Sequence, residues 1–283
     1  MSLTAHRFYA RNDTARDPGA EAAFFENLKM RNGTFKRTRP SRFTEIEKAF
    51  GPVFRERADT IRSALDIGVS SGVTSLEFLD FLGAQGSTVS LTATDLFLRA
   101  HIVGVAPGLR VLADPEGFPL QYDVAGTAIR AWVRRLDYAT LAFAPLMIAR
   151  HGLGRRVRTL IAQGRSRPVH LASPRLLHRR DVEVMEDDIL IRRPAFAGRF
   201  DVVRAANILN LGYFTAGELE SAITNIRVYL RGPGSLFLAT RTNRAGGNAA
   251  TLFELGPDCD FRPLKRLGGG SEIEPQVLAA TIA

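Results

Sequence analysis

Hydrophobic and polar residues change their period along the chain, and these changes predict its elements. Residues 1–62 carry apolar positions at helical spacing after a polar lead, which predicts N-terminal helices. An apolar run over 63–69 then predicts a buried strand, 73–86 a helix and 87–97 a second strand. A strand, a glycine loop, a helix and a strand in this order form a βαβ unit with a parallel sheet.

The alternation stops after residue 97 and resumes at residue 181. Between them, 110–123 predicts a β-hairpin that turns at Asp114-Pro115-Glu116-Gly117, and two helices are predicted over 125–154 and 155–166. The later part predicts strands over 181–190, 198–209 and 235–243. It also predicts one helix over 215–234 and a closing hairpin over 250–268. The predicted fold class is α/β, a Rossmann-like doubly wound and mostly parallel sheet with N-terminal helices and a helical insertion after strand 2.

This pattern predicts three domains or segments. Residues 1–62 form an N-terminal helical cap, and 63–97 with 181–283 form the Rossmann-like domain. Residues 98–180 form an Arg-rich insertion of a hairpin plus helices. An excursion of about 80 residues is too long for an idle loop, so we expect a lid or docking element.

The net charge of +9 is concentrated in this insertion. Residues 128–180 contain twelve arginines and one acid, Asp137, so the rest of the chain is slightly acidic. Four interpretations stay open: a lid that recognises an acidic acceptor, a helix lying on anionic lipid, a nucleic-acid surface, or helices packed on the sheet with their arginines in water. The lipid interpretation depends on apolar residues flanked by arginine: Trp132, Leu136, Leu141, Phe143, Leu146, Met147 and Ile148.

The remaining composition narrows the class of protein. The single Cys259 excludes an internal disulfide and a thiolate metal cluster, and no apolar run has the roughly 18 residues of a membrane span. The polar N-terminus lacks the apolar core of a signal peptide. We expect a cytoplasmic protein, with peripheral membrane contact through 128–180 as the alternative, and nucleic acid is not favoured.

The stretch LDIGVSSGVTSLEF, residues 65–78, fits two chemistries. Residues 68–72 match the G-x-S-x-G nucleophile turn of serine hydrolases, with Ser70 as nucleophile. That motif needs an acid and then a histidine from later strands. The four histidines after Ser70 all precede the third predicted strand: His101, His151, His170 and His178. A serine hydrolase therefore stays a remote alternative.

A phosphate-binding loop fits no better. G-x-G-x-x-G and G-x-x-x-x-G-K-[ST] are both absent. Asp66, two residues before Gly68, would place a carboxylate where a phosphate needs a positive field. A carboxylate here favours a ligand that carries positive charge.

The stretch Asp66-Ile67-Gly68-Val69-Ser70-Ser71-Gly72 resembles the D-x-G-x-G-x-G motif of class I S-adenosylmethionine-dependent methyltransferases, with Ser70 in place of the middle glycine. In that family an acid after strand 2 binds the ribose and an acid after strand 3 binds adenine. The stretches FDVVRAANILN and LRGPGSLFLATR resemble the family's fourth strand and its later helix-to-strand turn. The resemblance implies these cofactor contacts: Asp66, Gly68, Val69, Ser70, Gly72, Asp95, Leu96, Asp188, Ile189 and Asn207, with Asp187 as the alternative to Asp188.

The fourth-strand region looks most like chemotaxis-receptor glutamate methyltransferases. Asn207 stands at their Arg-Asn pair, but Ala206 replaces the arginine, so their substrate is not carried over. By this resemblance Asn207 and Tyr213 face the transferred methyl group and are the candidate catalytic residues. The histidines lack ligand spacing, so no metal site is predicted.

The resemblance implies transfer of a methyl group from S-adenosyl-L-methionine to an O or N nucleophile, which leaves S-adenosyl-L-homocysteine. The sulfonium is already activated, so alignment and desolvation can supply most of the catalysis. We expect the acceptor to be an acidic small molecule or a lipid-like molecule. The alternative is a scaffold, with or without bound cofactor, that docks through its basic insertion.

Overall fold

The computed structural model describes residues 3–10, 17–139, 143–243 and 246–280. The helices Pro18–Glu26, Thr44–Glu56, Val73–Ala84 and Ala216–Tyr229 follow predicted ones, whereas the helix Glu274–Ala279 was not predicted. Pro18 and the Thr215–Glu218 capping box mark two of the helix starts. The described residues contain nine α-helices. They are α1 Ala5–Ala10, α2 Pro18–Glu26, α3 Thr44–Glu56, α4 Val73–Ala84, α5 Arg135–Ala139, α6 Phe143–Ala162, α7 Pro174–Leu177, α8 Ala216–Tyr229 and α9 Glu274–Ala279.

The strands form two separate sheets. They are β1 Ser63–Ile67, β2 Ser90–Asp95, β3 Arg99–Ala106, β4 Leu109–Ala113, β5 Pro119–Val124, β6 Thr127–Arg130, β7 Arg167–His170, β8 Val182–Glu186, β9 Val202–Ala206, β10 Leu236–Thr242, β11 Asn248–Leu255 and β12 Phe261–Leu267. The described chain divides into two compact units. Unit 1 comprises 1–39 and 97–178, and unit 2 comprises 40–96 and 179–283.

The N-terminal segment is divided differently from the prediction. A single helical cap over 1–62 was expected, but residues 1–39 belong to unit 1 and only 40–62 belong to unit 2. The packing explains this division. Phe8 and Phe24 are buried among residues of the unit 1 sheet, whereas Phe50 and Phe54 of α3 are buried against the unit 2 sheet.

The sheet of unit 2 confirms the predicted α/β fold. Its strand order is β12-β11-β10-β9-β1-β2-β8, and β10, β9, β1, β2 and β8 are parallel. Helix α8 packs on one face through Leu219 and Ile223, while α3 and α4 pack on the other face. The antiparallel pair β11 and β12 confirms the predicted closing hairpin.

The position of β1 in this sheet matters for ligand binding. From β1 the chain moves outward on one side to β2 and β8, and then returns to β9 and β10 on the other side. The carboxyl ends of β1 and β9 therefore meet where the strand order reverses. In open α/β sheets this reversal point opens the crevice in which ligands bind.

Unit 1 contains a five-stranded antiparallel sheet in the order β6-β5-β4-β3-β7. The predicted hairpin is confirmed as β4 and β5, but β3, β6 and β7 correct the expected insertion of a hairpin plus helices. The two helices expected over 125–154 and 155–166 are also wrong. Residues 127–130 form a strand, and α6 runs on through Gly154 because its apolar residues form one face.

That apolar face packs on the sheet. Val157 and Leu160 are buried against Val103, Val111 and Tyr122. Helix α6 therefore presents its arginines to water, as in the fourth interpretation of the insertion. Leu136 of α5 is 71% exposed and Met147 38%, whereas Leu141 lies outside the described residues. Within the described chain, none of the helices is both long and apolar enough to cross a membrane.

Candidate functional site

The glycine loop, residues 68–72, joins β1 to α4 at the carboxyl edge of the unit 2 sheet. The backbone N–H groups of Gly68 and Val69 donate to the carbonyl of Thr94, at 2.8 and 3.0 Å, which ties the loop to the end of β2. Gly68 has φ +72°, and a Cβ there would lie 3.0 Å from Cβ of Ile208, the second residue after β9. The loop therefore needs glycine at this position because β9 approaches closely.

Ser70 and Gly72 also have left-handed backbones, with φ of +57° and +79°. Glycine adopts this conformation without strain, and serine does not. The backbone thus explains the resemblance at this position, because Ser70 holds the conformation that the middle glycine of the motif would hold. Gly72 is the N-cap of α4, so the loop ends where the helix begins.

Asp95 ends β2 and holds the glycine loop. Its Oδ2 accepts a hydrogen bond from the N–H of Ser70 at 2.7 Å, and its carbonyl accepts one from the N–H of Asp187 at 3.1 Å. The half-buried carboxylate therefore lies against the loop, and Leu96, the next residue, is 47% exposed. This arrangement fixes the Asp95 carboxylate beside the loop.

Asp66 has a different environment from the one that the sequence suggested. It is 1% exposed and directly opposite Arg204 in the register of β1 and β9. Arg204 donates from Nε to Oδ1 at 2.8 Å and from Nη2 to Oδ2 at 2.6 Å, and Ser75 Oγ donates to Oδ2 at 2.6 Å. The protein itself supplies the positive charge that Asp66 needs, so the inference of a cationic ligand from Asp66 does not hold.

Arg204 is the site residue that sequence reasoning missed. It is 3% exposed, its guanidinium lies 4.3 Å from the centre of the Phe78 ring, and Nη2 also donates to the carbonyl of Thr74 in the first turn of α4. It thereby joins β9, β1 and α4 beneath the glycine loop. The signal was an arginine inside the apolar strand sequence FDVVRAA, since a buried arginine needs a buried acid.

The two acids after β8, Asp187 and Asp188, make different hydrogen bonds. Asp187 pairs with Arg193, whose Nε donates to its Oδ1 at 2.6 Å, and the Asp187 side chain is only 7% exposed. Asp188 accepts from the N–H of Leu190 at 3.0 Å within its own turn. Ile189 is buried, and its carbonyl accepts from Asn225 at 2.7 Å. The strand ends at Glu186, so both aspartates belong to the following loop.

A cleft of ≈ 390 Å³ lies beside this loop. Its lining residues come from the ends of β2 and β8 and from the loop that follows: Leu96, Glu186, Asp187, Asp188, Ile191, Arg192, Arg193 and Pro194. Asp95 and Glu186 are opposite each other in the register of β2 and β8. Carboxylates from two strands therefore lie at this edge, and the cleft beside it is lined by both acids and the arginines Arg192 and Arg193.

Asn207 follows β9 with a left-handed backbone, φ +61°. Its Oδ1 accepts from the N–H of Thr242 at 2.6 Å, and Thr242 Oγ1 donates to Asn248 Oδ1 at 2.9 Å. These bonds join the carboxyl end of β9 to β10 and β11. Tyr213, the other candidate catalytic residue, is 73% exposed, and Leu211 beside it is 53% exposed.

All five histidines of the chain belong to unit 1, whereas Ser70 belongs to unit 2. Unit 2 therefore offers Ser70 no histidine as a base, which counts against the hydrolase alternative. Within the described residues, no group of three or more His, Cys, Asp and Glu side chains could hold a metal ion.

No family model and no curated protein matches this chain. Among solved structures it is similar to CalS10, an amino pentose methyltransferase from Micromonospora echinaspora, with 15% identity over 87% of this chain and 72% of that one and a TM-score of 0.34. It is also similar to an O-methyltransferase family protein from Burkholderia thailandensis (15% identity, 81% and 43%, TM-score 0.32) and to the citrinin polyketide synthase CMeT domain (15%, 65% and 30%, 0.31). The chain spans less than half the length of the latter two, and at these TM-scores the likenesses carry no conclusion about this chain.

Proposed function

We propose that this chain is an S-adenosylmethionine-dependent methyltransferase whose cofactor site lies at the carboxyl edge of the unit 2 sheet. The observation that carries the proposal is the contact between Asp95 and the N–H of Ser70. It joins the acid after strand 2 to the motif loop after strand 1, at the point where the strand order reverses. These are the two motif positions on which the sequence resemblance depends.

Three residues at this edge support the choice of this cofactor. The half-buried carboxylate of Asp95 offers an acceptor for ribose hydroxyls, and Leu96 and Ile191 offer exposed apolar surface for adenine. Of the two aspartates after β8, Asp188 fits the adenine contact better because Asp187 is engaged by Arg193. The carboxylates of this edge suit a ligand with an ammonium and a sulfonium and no phosphate.

When bound, the cofactor supplies a methyl group on a sulfonium that needs no further activation. The chain's own residues then have to hold the acceptor in line and exclude water. Asn207 is fixed by Thr242, and its neutral amide side chain does not act as a general base. We therefore expect it to position its neighbours, and we assign the acceptor side to the exposed pair Leu211 and Tyr213.

These two exposed apolar side chains support an acceptor with an apolar body, which agrees with a lipid-like or aromatic molecule bearing an O or N nucleophile. The competing proposal is a scaffold that docks through its basic unit 1. The charge of unit 1 favours an acidic partner but does not require catalysis.

Calorimetry with S-adenosyl-L-methionine and S-adenosyl-L-homocysteine tests the proposal on the full chain. We expect both to bind, and we expect Asp95→Ala to weaken binding by at least about tenfold because it removes a charged acceptor and releases the loop. Asp201→Ala is the matched control, since the Asp201 carboxylate also accepts backbone N–H hydrogen bonds in unit 2 but lies just before β9, at the amino end of that strand. Absence of binding to both ligands, in protein whose fold is intact by circular dichroism, would contradict the enzyme proposal.

A further inference from the structure

Unit 1 contains a second cleft, of ≈ 470 Å³, between helix α6 and strand β3. Its floor is formed by Gly104, Val105 and Leu160, and its walls by polar residues of α6 and of the turn that follows: Gly152, Arg155, Arg156, Thr159, Gln163 and Arg165. This volume is in the range of small-molecule sites.

The cleft exists because the edge strand is short. Strand β7 pairs with β3 only from Arg99 to Ile102, so the end of β3 has no strand beside it on that side. Gly104 leaves the floor open, since a Cβ at this position would meet nothing within 4 Å. The chain between α6 and β7 then carries Arg165 to the rim.

The three arginines of this cleft are exposed, and no carboxylate is among the lining residues. Within the described part of the chain they form no ion pair. Other arginines of unit 1 are neutralised: Arg130 pairs with Asp137, Arg175 with Glu21 and Arg110 with Asp123. Three adjacent guanidinium groups without a counter-charge repel each other, and an anion would relieve that repulsion.

We propose that this cleft binds the phosphate group of a phosphate ester. Guanidinium groups bind phosphate oxygens in pairs of parallel hydrogen bonds, and Gln163 adds a neutral donor. The apolar lining residues Val105 and Leu160 are almost fully buried, so most of the contact with the ester comes from the polar walls. No aromatic residue lines the cleft, so it lacks the stacking platform of a single-stranded nucleic-acid site. The proposal is independent of the methyltransferase proposal for unit 2.

Calorimetry of the full chain with inorganic pyrophosphate, without any methyl donor, tests the site. The variant Arg155→Gln/Arg156→Gln/Arg165→Gln removes three charges, and the control variant Arg39→Gln/Arg135→Gln/Arg180→Gln removes three exposed arginines outside the cleft. We expect the cleft variant to weaken pyrophosphate binding by at least about tenfold and the control by less than about twofold. Circular dichroism checks that both variants fold.

Co-sedimentation with vesicles of phosphatidylcholine and phosphatidylglycerol distinguishes the source of the phosphate. Pelleting that the cleft variant loses and the control retains identifies a lipid headgroup. Pyrophosphate binding without pelleting supports a soluble phosphate ligand and excludes the lipid headgroup. The proposal is overturned if neither probe binds the wild-type chain, or if the control variant loses binding as much as the cleft variant does.

Discussion

The two units use charged residues in opposite ways. Unit 1 has 20 basic and 8 acidic residues, a net charge of +12, whereas unit 2 has 18 basic and 21 acidic residues, a net charge of −3. Unit 2 pairs Arg204 with Asp66 inside the sheet, 3% and 2% exposed at the side chains. Unit 1 leaves Arg155, Arg156 and Arg165 in water beside a cleft. Arginine is therefore structural at Arg204 and available to a ligand at the unit 1 cleft, although unit 1 also pairs Arg175 with the buried Glu21.

The type of sheet accounts for part of this difference. The parallel strands of unit 2 end at one edge, so Asp95, Glu186 and Asn207 all lie at that edge. The antiparallel strands of unit 1 have no such common edge. Its cleft instead depends on α6 and on the short partner of β3.

The largest expected loss of stability follows from breaking the buried ion pair of unit 2, Arg204 with Asp66. Arg204→Met retains most of the side-chain volume but leaves the Asp66 carboxylate buried without a counter-charge. Removal of one partner from a buried pair costs about 3–5 kcal/mol. We expect the free energy of unfolding, measured with urea, to fall by about that amount.

The matched control is Arg262→Met, because Arg262 pairs with Asp258 while both side chains are about half exposed. We expect that change to cost less than about 1 kcal/mol. Addition of Asp66→Asn to Arg204→Met should recover part of the loss, since no buried charge would remain. Equal losses for Arg204→Met and Arg262→Met would show that the buried pair does not stabilise unit 2.

The second expected effect is on the pH dependence of folding stability. It depends on two carboxyl groups whose pKa shifts do not follow the net charge of their unit. Burial raises the pKa of Asp114 above its ordinary 3.8 even though it lies in basic unit 1. A hydrogen bond from Arg266 lowers the pKa of Glu274 below its ordinary 4.5 in acidic unit 2. Protonated Asp114 thus stabilises the folded state at pH values below 3.8, and this contribution is lost as the pH rises through the folded pKa of Asp114. Ionised Glu274 stabilises the folded state at pH values above 4.5, and this contribution is lost as the pH falls through the folded pKa of Glu274.

The free energies of unfolding of two neutral variants should therefore depend on pH in opposite directions. Relative to wild type, Asp114→Asn should gain stability as the pH rises from about 3 to about 7, and Glu274→Gln should lose stability over the same range. Urea unfolding at several pH values measures both. A difference from wild type that is independent of pH in either variant would contradict the corresponding pKa direction.

The sequence predicts unit 2 well because its central strands are apolar runs that alternate with helices. The apolar runs at β1 and β9, the helices α4 and α8 and the closing hairpin all appear near their predicted positions. The adjacency of Asp95 and the glycine loop was also predictable, since parallel strands end at one edge. The partner of Asp66 was not predicted, because Arg204 is 138 residues away and only the strand register brings the two together.

Unit 1 was harder to predict because its strands are short or irregular. Strand β6 has four residues, and β7 begins with Arg and Pro and buries only Val169. Strand β3, RAHIVGVA, buries Ile102 and Val103 in succession, which breaks the alternation expected of a strand. The arginine- and alanine-rich residues around β6 favour a helix locally, and pairing with β5 overrides that preference.

The smallest expected change in stability concerns one residue with a left-handed backbone in each unit. Ser70 in the unit 2 glycine loop has φ +57°, and Ala125 in the two-residue turn between β5 and β6 has φ +48°. A left-handed backbone costs a non-glycine residue about 1–2 kcal/mol, while glycine adds about 0.5–1 kcal/mol of entropy to the unfolded chain. Ser70→Gly and Ala125→Gly should therefore each raise the free energy of unfolding by about 0.5–1 kcal/mol.

The two substitutions should differ in binding. The N–H of residue 70 is retained in Ser70→Gly, so Asp95 keeps its partner and we expect S-adenosyl-L-homocysteine affinity within about threefold of wild type, slightly weaker because the free loop gains freedom. Ala125→Gly should leave that affinity unchanged, since the turn belongs to unit 1. Ser70→Val would reverse the stability gain, because a β-branched side chain tolerates the left-handed region least. If Ser70→Gly lowered the stability instead, the serine side chain rather than the backbone would be what the loop requires at this position.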